Sequence, residues 1–254
     1  MASESRQPRL AVLIDADNAS AQIVDGLFEE IARLGEASFR HIFGDFSSSR
    51  SKAWADTLSR HAIIPHQQFA HTAGKNASDI TLVIDAMDLL HSGLFDGFCL
   101  VSSDSDFTRL ASRIREQGMD VFGFGEQKMP ASFRQACRKF IYTENLMPGA
   151  LADKASTNSP AKPLQPVVDA TRIIREVIAQ FETEDGWVNL GELGSRLAAR
   201  ASDFDPRNYG FRKLSDLVCA MNSFETEHPE GGHIRIRIKP SARSRSKALA
   251  PAQG

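Results

Sequence analysis

Short apolar runs that stop on aspartate recur through the first half of this chain, and they restrict its fold more than any other feature. Leu10 to Ile14 leads into Asp15 and Asp17 in LAVLIDADN, Phe98 to Val101 leads into Asp104 and Asp106 in FCLVSSDSDF, and Asp79 sits in KNASDITL. Runs of this length, partly β-branched and followed by polar residues and a helical pattern, read as buried strand, loop and helix. The pattern continues with helix 21–34, strand 37–43, helix 53–61, strand 63–69, helix 80–90, strand 98–101, helix 107–117, strand 121–124 and a last strand near 139–142. Repeated alternation predicts an α/β fold, a parallel sheet with helices on both faces. In such sheets ligands gather at the carboxyl ends of the strands, where these acids lie. Gly35, Gly93 and Gly118 each fall just past a helical run, as helix stops do.

The pattern changes after residue 148. Residues 149–166 are rich in Ala, Ser and Pro and lack aromatics, which reads as a flexible linker. Beyond it lie three short helical segments, an extended piece at Trp187 to Leu190, and a period-two stretch in which Ile234, Ile236 and Ile238 alternate with Arg235, Arg237 and Lys239. This is the outline of a small winged helix-turn-helix. The expected organisation is a tail at 1–9, an α/β domain at 10–148, the linker, a winged helix at 167–240 and a basic tail at 241–254.

Bulk properties exclude some classes. A hydrophobic content of 42% over 254 residues suits a globular protein with a sizeable core. No apolar stretch approaches the roughly 20 residues of a spanning helix, and the first nine residues carry no apolar secretory segment, so a cytoplasmic protein without membrane contact is expected. Cys99, Cys137 and Cys219 are far apart in sequence and form no CxxC pair, so packing roles are expected in place of disulfides or thiolate metal sites. The histidines show no HExxH-type spacing, and His41, His61, His66, His71 and His91 are read as packing, capping or solvent contacts. From Arg235 to the end the chain has bases and no acid. Such a run either attracts phosphate chains or simply keeps a terminus solvated.

Extended residues two apart point the same way, so Asp15 with Asp17, and Asp104 with Asp106, can each face one volume. Adding Asp79 from the start of a neighbouring helix places several like charges close together, each raising the cost of ionising the others. A divalent cation removes that penalty, and an all-oxygen set favours Mg²⁺ or Mn²⁺ over zinc. The chemistry that follows is phosphodiester hydrolysis. Asn18 is placed to position a water or phosphate, Lys75 to hold a phosphate oxygen, Ser102 and Ser103 to orient carboxylates, and Asp85 to support the site if its helix turns it inward. Capping competes with this at every point. Ser103 and Asp106 make an S-x-x-D capping box, Asp17 or Asn18 can cap the helix near Ser20, and Ser78 with Asp79 can cap the next one.

IDADN at 14–18, K-x-x-x-D at 75–79 and VSSDSDF at 101–107 together resemble the NYN domain family, a PIN-like, LabA-like group of metal-dependent ribonucleases. The resemblance covers about Leu10 to Asn145. It implies a parallel sheet, a metal site of aspartates and RNA cleavage, carried by Asp15, Asn18, Asp79, Asp104 and Asp106, with Asp15, Asp79, Asp104 and Asp106 as the metal ligands. Ser103 stands where many members have glycine. DFDPRNYGFRKLSDLV at 203–218 resembles the OST-HTH or LOTUS domain, which implies RNA binding or docking to a partner protein. Arg207, Tyr209, Arg212, Lys213, Arg235 and Arg237 are the candidate nucleic-acid contacts there, by stacking and phosphate pairing.

The sequence thus predicts a Mg²⁺- or Mn²⁺-dependent endoribonuclease tethered to an RNA-binding or partner-docking winged helix, with homo-oligomerisation left open. Two rivals stand beside it. Asp15 and Asp17 also match the D-x-D of haloacid-dehalogenase phosphatases, although Ala19 stands where that family has Thr or Val. The other rival is a catalytically silent RNA-binding adaptor.

Overall fold

Arg9–Asp15 forms β1, and every residue after Arg9 in it is buried. A strand apolar on both faces needs cover on both, and the computed structural model supplies it. The structure describes residues 6–47, 49–68, 77–149, 163–183, 185–229 and 232–239. His71, Lys75, residues 150–162 of the expected linker, residues 1–5 of the expected tail at 1–9, residue 240 and the expected tail at 241–254 lie outside the described residues. The chain divides into two compact units, residues 1–156 and 157–254.

In the first unit, a single 3-10 turn at Ala21–Ile23 leads into α1 (Val24–Leu34). There follow β2 (Glu36–Gly44), α2 (Ser49–Leu58), β3 (Ile64–Gln67), α3 (Ala77–Ser92), β4 (Gly97–Val101), α4 (Thr108–Glu116), β5 (Asp120–Gly125), α5 (Ala131–Ala136) and β6 (Lys139–Tyr142). Only α5 lacks a counterpart in the sequence reading; at six residues it is too short to show helical periodicity. The six strands run in the order β3-β2-β1-β4-β5-β6, and every pairing is parallel.

Apolar spacing explains how the layers form. Val24, Leu27 and Ile31 repeat every three or four residues along α1 and are buried, the single stripe of a helix lying on a sheet. They share a core with Leu10, Val12 and Ile14 of β1, Cys99 and Val101 of β4, and Trp54 of α2. Alternation therefore turns Ala11, Leu13 and Asp15 to the opposite face, which α3 covers with Leu82 and Ala86 buried. Cys99 and Cys137 are buried and burial pushes their thiols up, whereas Cys219 is exposed and packs into no core.

The glycine stops differ in cause. Gly93 and Gly118 have φ of 66° and 82°, the left-handed stop expected of a helix end. Gly35 is extended, with φ of 167°. A side chain there would put its Cβ 2.3 Å from the carbonyl oxygen of Pro8, so close approach of two backbones requires the glycine.

The second unit contains α6 (Val167–Ile178), β7 (Val188–Asn189), α7 (Leu190–Arg200), α8 (Leu214–Cys219), β8 (Phe224–Glu227) and β9 (Arg235–Ile238). Its strands form an antiparallel sheet in the order β7-β9-β8. Ile174, Leu193, Leu197, Leu217 and Ile236 are fully buried at its centre. Asn189 starts α7 by accepting the N–H groups of Gly191 and Glu192 at 2.8 and 3.2 Å. Helices followed by a small antiparallel sheet match the expected outline.

Gly26 tests the packing of α1. Alanine in a helix interior ordinarily stabilises by up to about 1 kcal/mol relative to glycine, but here its Cβ would lie 2.6 Å from the backbone oxygen of Leu146. Gly26→Ala is expected to destabilise the protein by about 1–3 kcal/mol, read as a lower urea midpoint. A midpoint at or above that of the native chain would show that α1 can move off the 143–146 turn.

Candidate active site

The sheet order reverses direction between β1 and β4: successive strands after β1 add on one side, and those after β4 on the other. In doubly wound sheets a crevice opens at this point, outside the carboxyl ends of the strands. Register pairs Ile14 with Val101, so the next residues, Asp15 and Ser102, flank that crevice. Dinucleotide-binding folds place a glycine-rich turn here to cradle an anion. This chain places Asp15, Asp17 and Asn18, which suits a cation instead.

Asp15 is 2% exposed. Its Oδ2 accepts the Ser102 hydroxyl at 2.6 Å and the Asn18 side-chain amide at 2.9 Å, and its Oδ1 accepts the backbone N–H groups of Asp17 and Asn18 at 3.0 and 3.2 Å. Burial raises its pKa, and these donors hold the rise in check. Four hydrogen bonds fill the lone pairs of a carboxylate. A cation held directly by Asp15 therefore displaces a donor, and the exposed Asn18 side chain is the one at the rim.

Ser102 relays this anchor onward, its Oγ accepting the Asp104 N–H at 3.0 Å. Asp104 in turn caps the 3-10 turn at Ser105–Phe107 by accepting the N–H of Asp106 at 2.9 Å. The capping-box expectation for Ser103 is thus corrected: its hydroxyl accepts the Glu126 N–H at 3.1 Å and ties the loop to the end of β5. Ser20, and neither Asp17 nor Asn18, caps the turn before α1. Ser78 spends its hydroxyl on Asp17 Oδ2 at 3.2 Å, pinning the start of α3 to the loop after β1.

Asp79 lies in the first turn of α3. Its pKa is raised to about 6, first by burial and then by the charges of Asp15, Asp104, Asp17 and Asp106. Those four names are the acids singled out from sequence, so the structure brings all five into one field. They stand further apart than a tight cage. Among the described residues, the set of three His, Cys, Asp or Glu side chains with donor atoms all within 4.8 Å is His41, His66 and Asp85. Asp85 accordingly faces those histidines and does not support the aspartates. Next to the acids, a cleft of about 200 Å³ is lined by Asn18, Ser20, Ile23, Ser103, Phe124 and Glu126, among others.

Comparison with known proteins agrees with this architecture. The family model described as NYN domain matches residues 9–146, more than half the chain. The chain belongs to the NYN domain family. An OST-HTH/LOTUS domain model matches residues 167–236. No curated protein matches the chain. Among solved structures, a protein of unknown function from Vibrio parahaemolyticus RIMD 2210633 aligns at 16% identity over 57% of this chain and 98% of its own, with a TM-score of 0.46. MurG of Acinetobacter baumannii aligns at 10% identity over 84% and 69%, with a TM-score of 0.36. Neither likeness bears on function. The NYN domain itself suggests a nuclease, and the LOTUS domain suggests RNA binding.

Several LOTUS residues read as nucleic-acid contacts have other work. Tyr209 is 3% exposed and packs on Phe204 with ring centroids 5.7 Å apart. Burial, followed by the charge of Asp203, pushes its phenol up to about 12, so it is a core residue and no stacking platform. Arg207 pairs with Asp205, Nη2 to Oδ2 at 2.6 Å, both side chains being largely buried. Arg235 and Arg237 pair with Glu227 and Glu225 at 2.7 and 2.6 Å and lie over Trp187. Arg212 and Lys213 are exposed.

The raised pKa of Asp79 has a stability consequence with a definite sign. Its carboxyl titrates near 6 in the folded NYN domain against an ordinary 3.8, so between those values the native state holds a proton that the unfolded chain has released. Stability of the cation-free protein therefore falls as pH rises through this window and stays lower above it. Asp79→Asn is expected to melt higher than the native chain at about pH 7.5 in chelator, with the gap closing near pH 4.5. An equal gap at both pH values would exclude charge repulsion as its cause.

Proposed function

We propose that this protein is a metal-dependent endoribonuclease whose LOTUS unit holds RNA or docks a partner protein. The carrying observation is Asp79 at the carboxyl edge of the sheet, whose carboxyl is pushed up first by burial and then by the charges of four other aspartates. Repulsion of this kind destabilises a fold unless a ligand uses it, and a cation is that ligand. Asp79, Asp104, Asp106 and, once Asn18 swings aside, Asp15 are the oxygen donors, a set that fits Mg²⁺ or Mn²⁺. Bound there, such a cation supplies Lewis acidity at a phosphate and offsets the charge of the aspartates.

The remaining roles belong to the chain. Ser102 holds Asp15 Oδ2 and the Asp104 N–H together, so the ends of β1 and β4 keep their spacing while substrate binds. Asp17 is fixed through Ser78 and holds α3 in place as a supporting group. The Asn18 amide, once displaced from Asp15, donates to a non-bridging phosphate oxygen, and Lys75 is assigned the same task. Asp106, exposed on the rim, would complete the oxygen donors on the solvent side. Arg212 and Lys213 supply the phosphate contacts of the LOTUS unit, and tethering raises the local concentration of RNA at the aspartates. A cytoplasmic setting, where RNA and Mg²⁺ are both abundant, completes the reading.

Asp104→Asn is the decisive variant. Changes outside the first layer of ligands typically cost about 10- to 100-fold, so loss of a ligand is expected to reduce RNA cleavage by more than about 100-fold while binding of the same RNA is unchanged. Cleavage is to be followed with Mg²⁺, with Mn²⁺ and with chelator on single-stranded and structured RNA. No cleavage by the native chain under any of these would favour the silent adaptor. Separately, Arg212→Glu combined with Lys213→Glu is expected to raise KM for RNA with kcat unchanged; an unaltered KM would move the LOTUS unit from RNA to a protein partner.

A further inference from the structure

Two histidines and an aspartate meet on the face of the sheet that α3 covers, away from the strand ends. Register pairs His41 with Ile64 and Phe43 with His66. Period-two alternation then puts His41 and His66 on one face as diagonal neighbours of adjacent strands, with ring centroids 4.4 Å apart. Asp85 of α3 completes the group, its Oδ2 lying 3.9 Å from His41 Nδ1 and 3.7 Å from His66 Nδ1.

We propose that His41, His66 and Asp85 form a second cation site, separate from the aspartates at the strand ends and selective for zinc-type divalent ions. The spacing is the first reason. These contacts are too long for hydrogen bonds, yet all three donor atoms lie within 4.8 Å of one another. Tetrahedral bonds of about 2.0–2.1 Å set neighbouring donors roughly 3.4 Å apart, so a small inward adjustment closes the set around an ion.

A second reason is that His41 Nδ1 is buried and has no hydrogen-bond partner among the described residues. Buried polar atoms left unpaired in a native fold call for a missing partner.

Donor type supplies the selectivity. Two imidazole nitrogens and one carboxylate oxygen match zinc and its neighbours, whereas Mg²⁺ prefers oxygen alone. Three protein ligands leave a fourth position, which partial exposure of His66 and Asp85 opens to water. The rings are already held: Phe39 lies against His41 at 3.6 Å and Phe43 against His66 at 4.9 Å between centroids. Asp79 precedes Asp85 on the same helix by about 9 Å of rise. An ion here clamps the helix that carries Asp79 to β2 and β3.

The test uses the full chain stripped of metal, titrated with Co²⁺ as a spectroscopic probe and with Zn²⁺ by calorimetry and thermal melting. The native chain and Asp104→Asn are both expected to bind Co²⁺ with the visible bands of a tetrahedral site, to exchange it for Zn²⁺, and to gain melting temperature. His66→Ala and Asp85→Asn change partly exposed side chains, so they are expected to fold, verified by their cation-free melts. They should lose the bands and bind Zn²⁺ at least about tenfold more weakly. Unchanged affinity and spectrum in both variants would overturn the assignment. So would binding lost only in Asp104→Asn, or no Zn²⁺ binding at all.

Discussion

The hydrogen bond from the Ser102 hydroxyl to Asp15 joins the ends of the two central strands at the place where the sheet reverses its winding. Without it, Asp15 is a buried carboxylate short of a donor and the loop after β4 loses its fixed point. With it, one hydroxyl sets both Asp15 and Asp104, since the same Oγ accepts the Asp104 N–H. The parallel sheet supplies the rigidity: β1 and β4 are buried throughout their inner length, so their ends cannot drift independently. Loop residues placed on such a scaffold hold functional geometry that a loop by itself does not.

Charge is concentrated where the scaffold can bear it. Asp79 feels its own burial first and then the charges of Asp15, Asp104, Asp17 and Asp106, while Ser78 and the cap at Asp104 hold the loops in place. Strain kept at a site in this way is a common mark of function, because the ligand that binds is the one that relieves it. The same helix that delivers Asp79 at its first turn delivers Asp85 further along, over His41 and His66. One element thus serves two differently built groups, one of oxygen donors and one dominated by imidazole.

The LOTUS unit follows another logic. Its conspicuous basic and aromatic residues are mostly committed inward or to acids: Tyr209 to the core, Arg207 to Asp205, and the arginines of β9 to the glutamates of β8. A count of bases therefore overstates the positive surface that this unit offers, and Arg212 with Lys213 marks the part of it at the start of α8 that faces solvent.

By itself the sequence determined the α/β alternation, the acid-bearing strand ends and the family, because apolar period and strand-end position are local properties of the chain. Asp15, Asp79 and Asp104 were legible for that reason, each standing at the edge of a recognisable element. Local spacing misled at Ser103, which has the form of a capping box but bonds Glu126 across the sheet, and at Tyr209, whose polar neighbours hid its burial. The meeting of His41, His66 and Asp85 left no sequence signal at all, since they come from two strands and a helix with no motif spacing. Only tertiary structure decides such cases: which side chains share a volume depends on strand register and helix placement, and these follow from packing of the whole core.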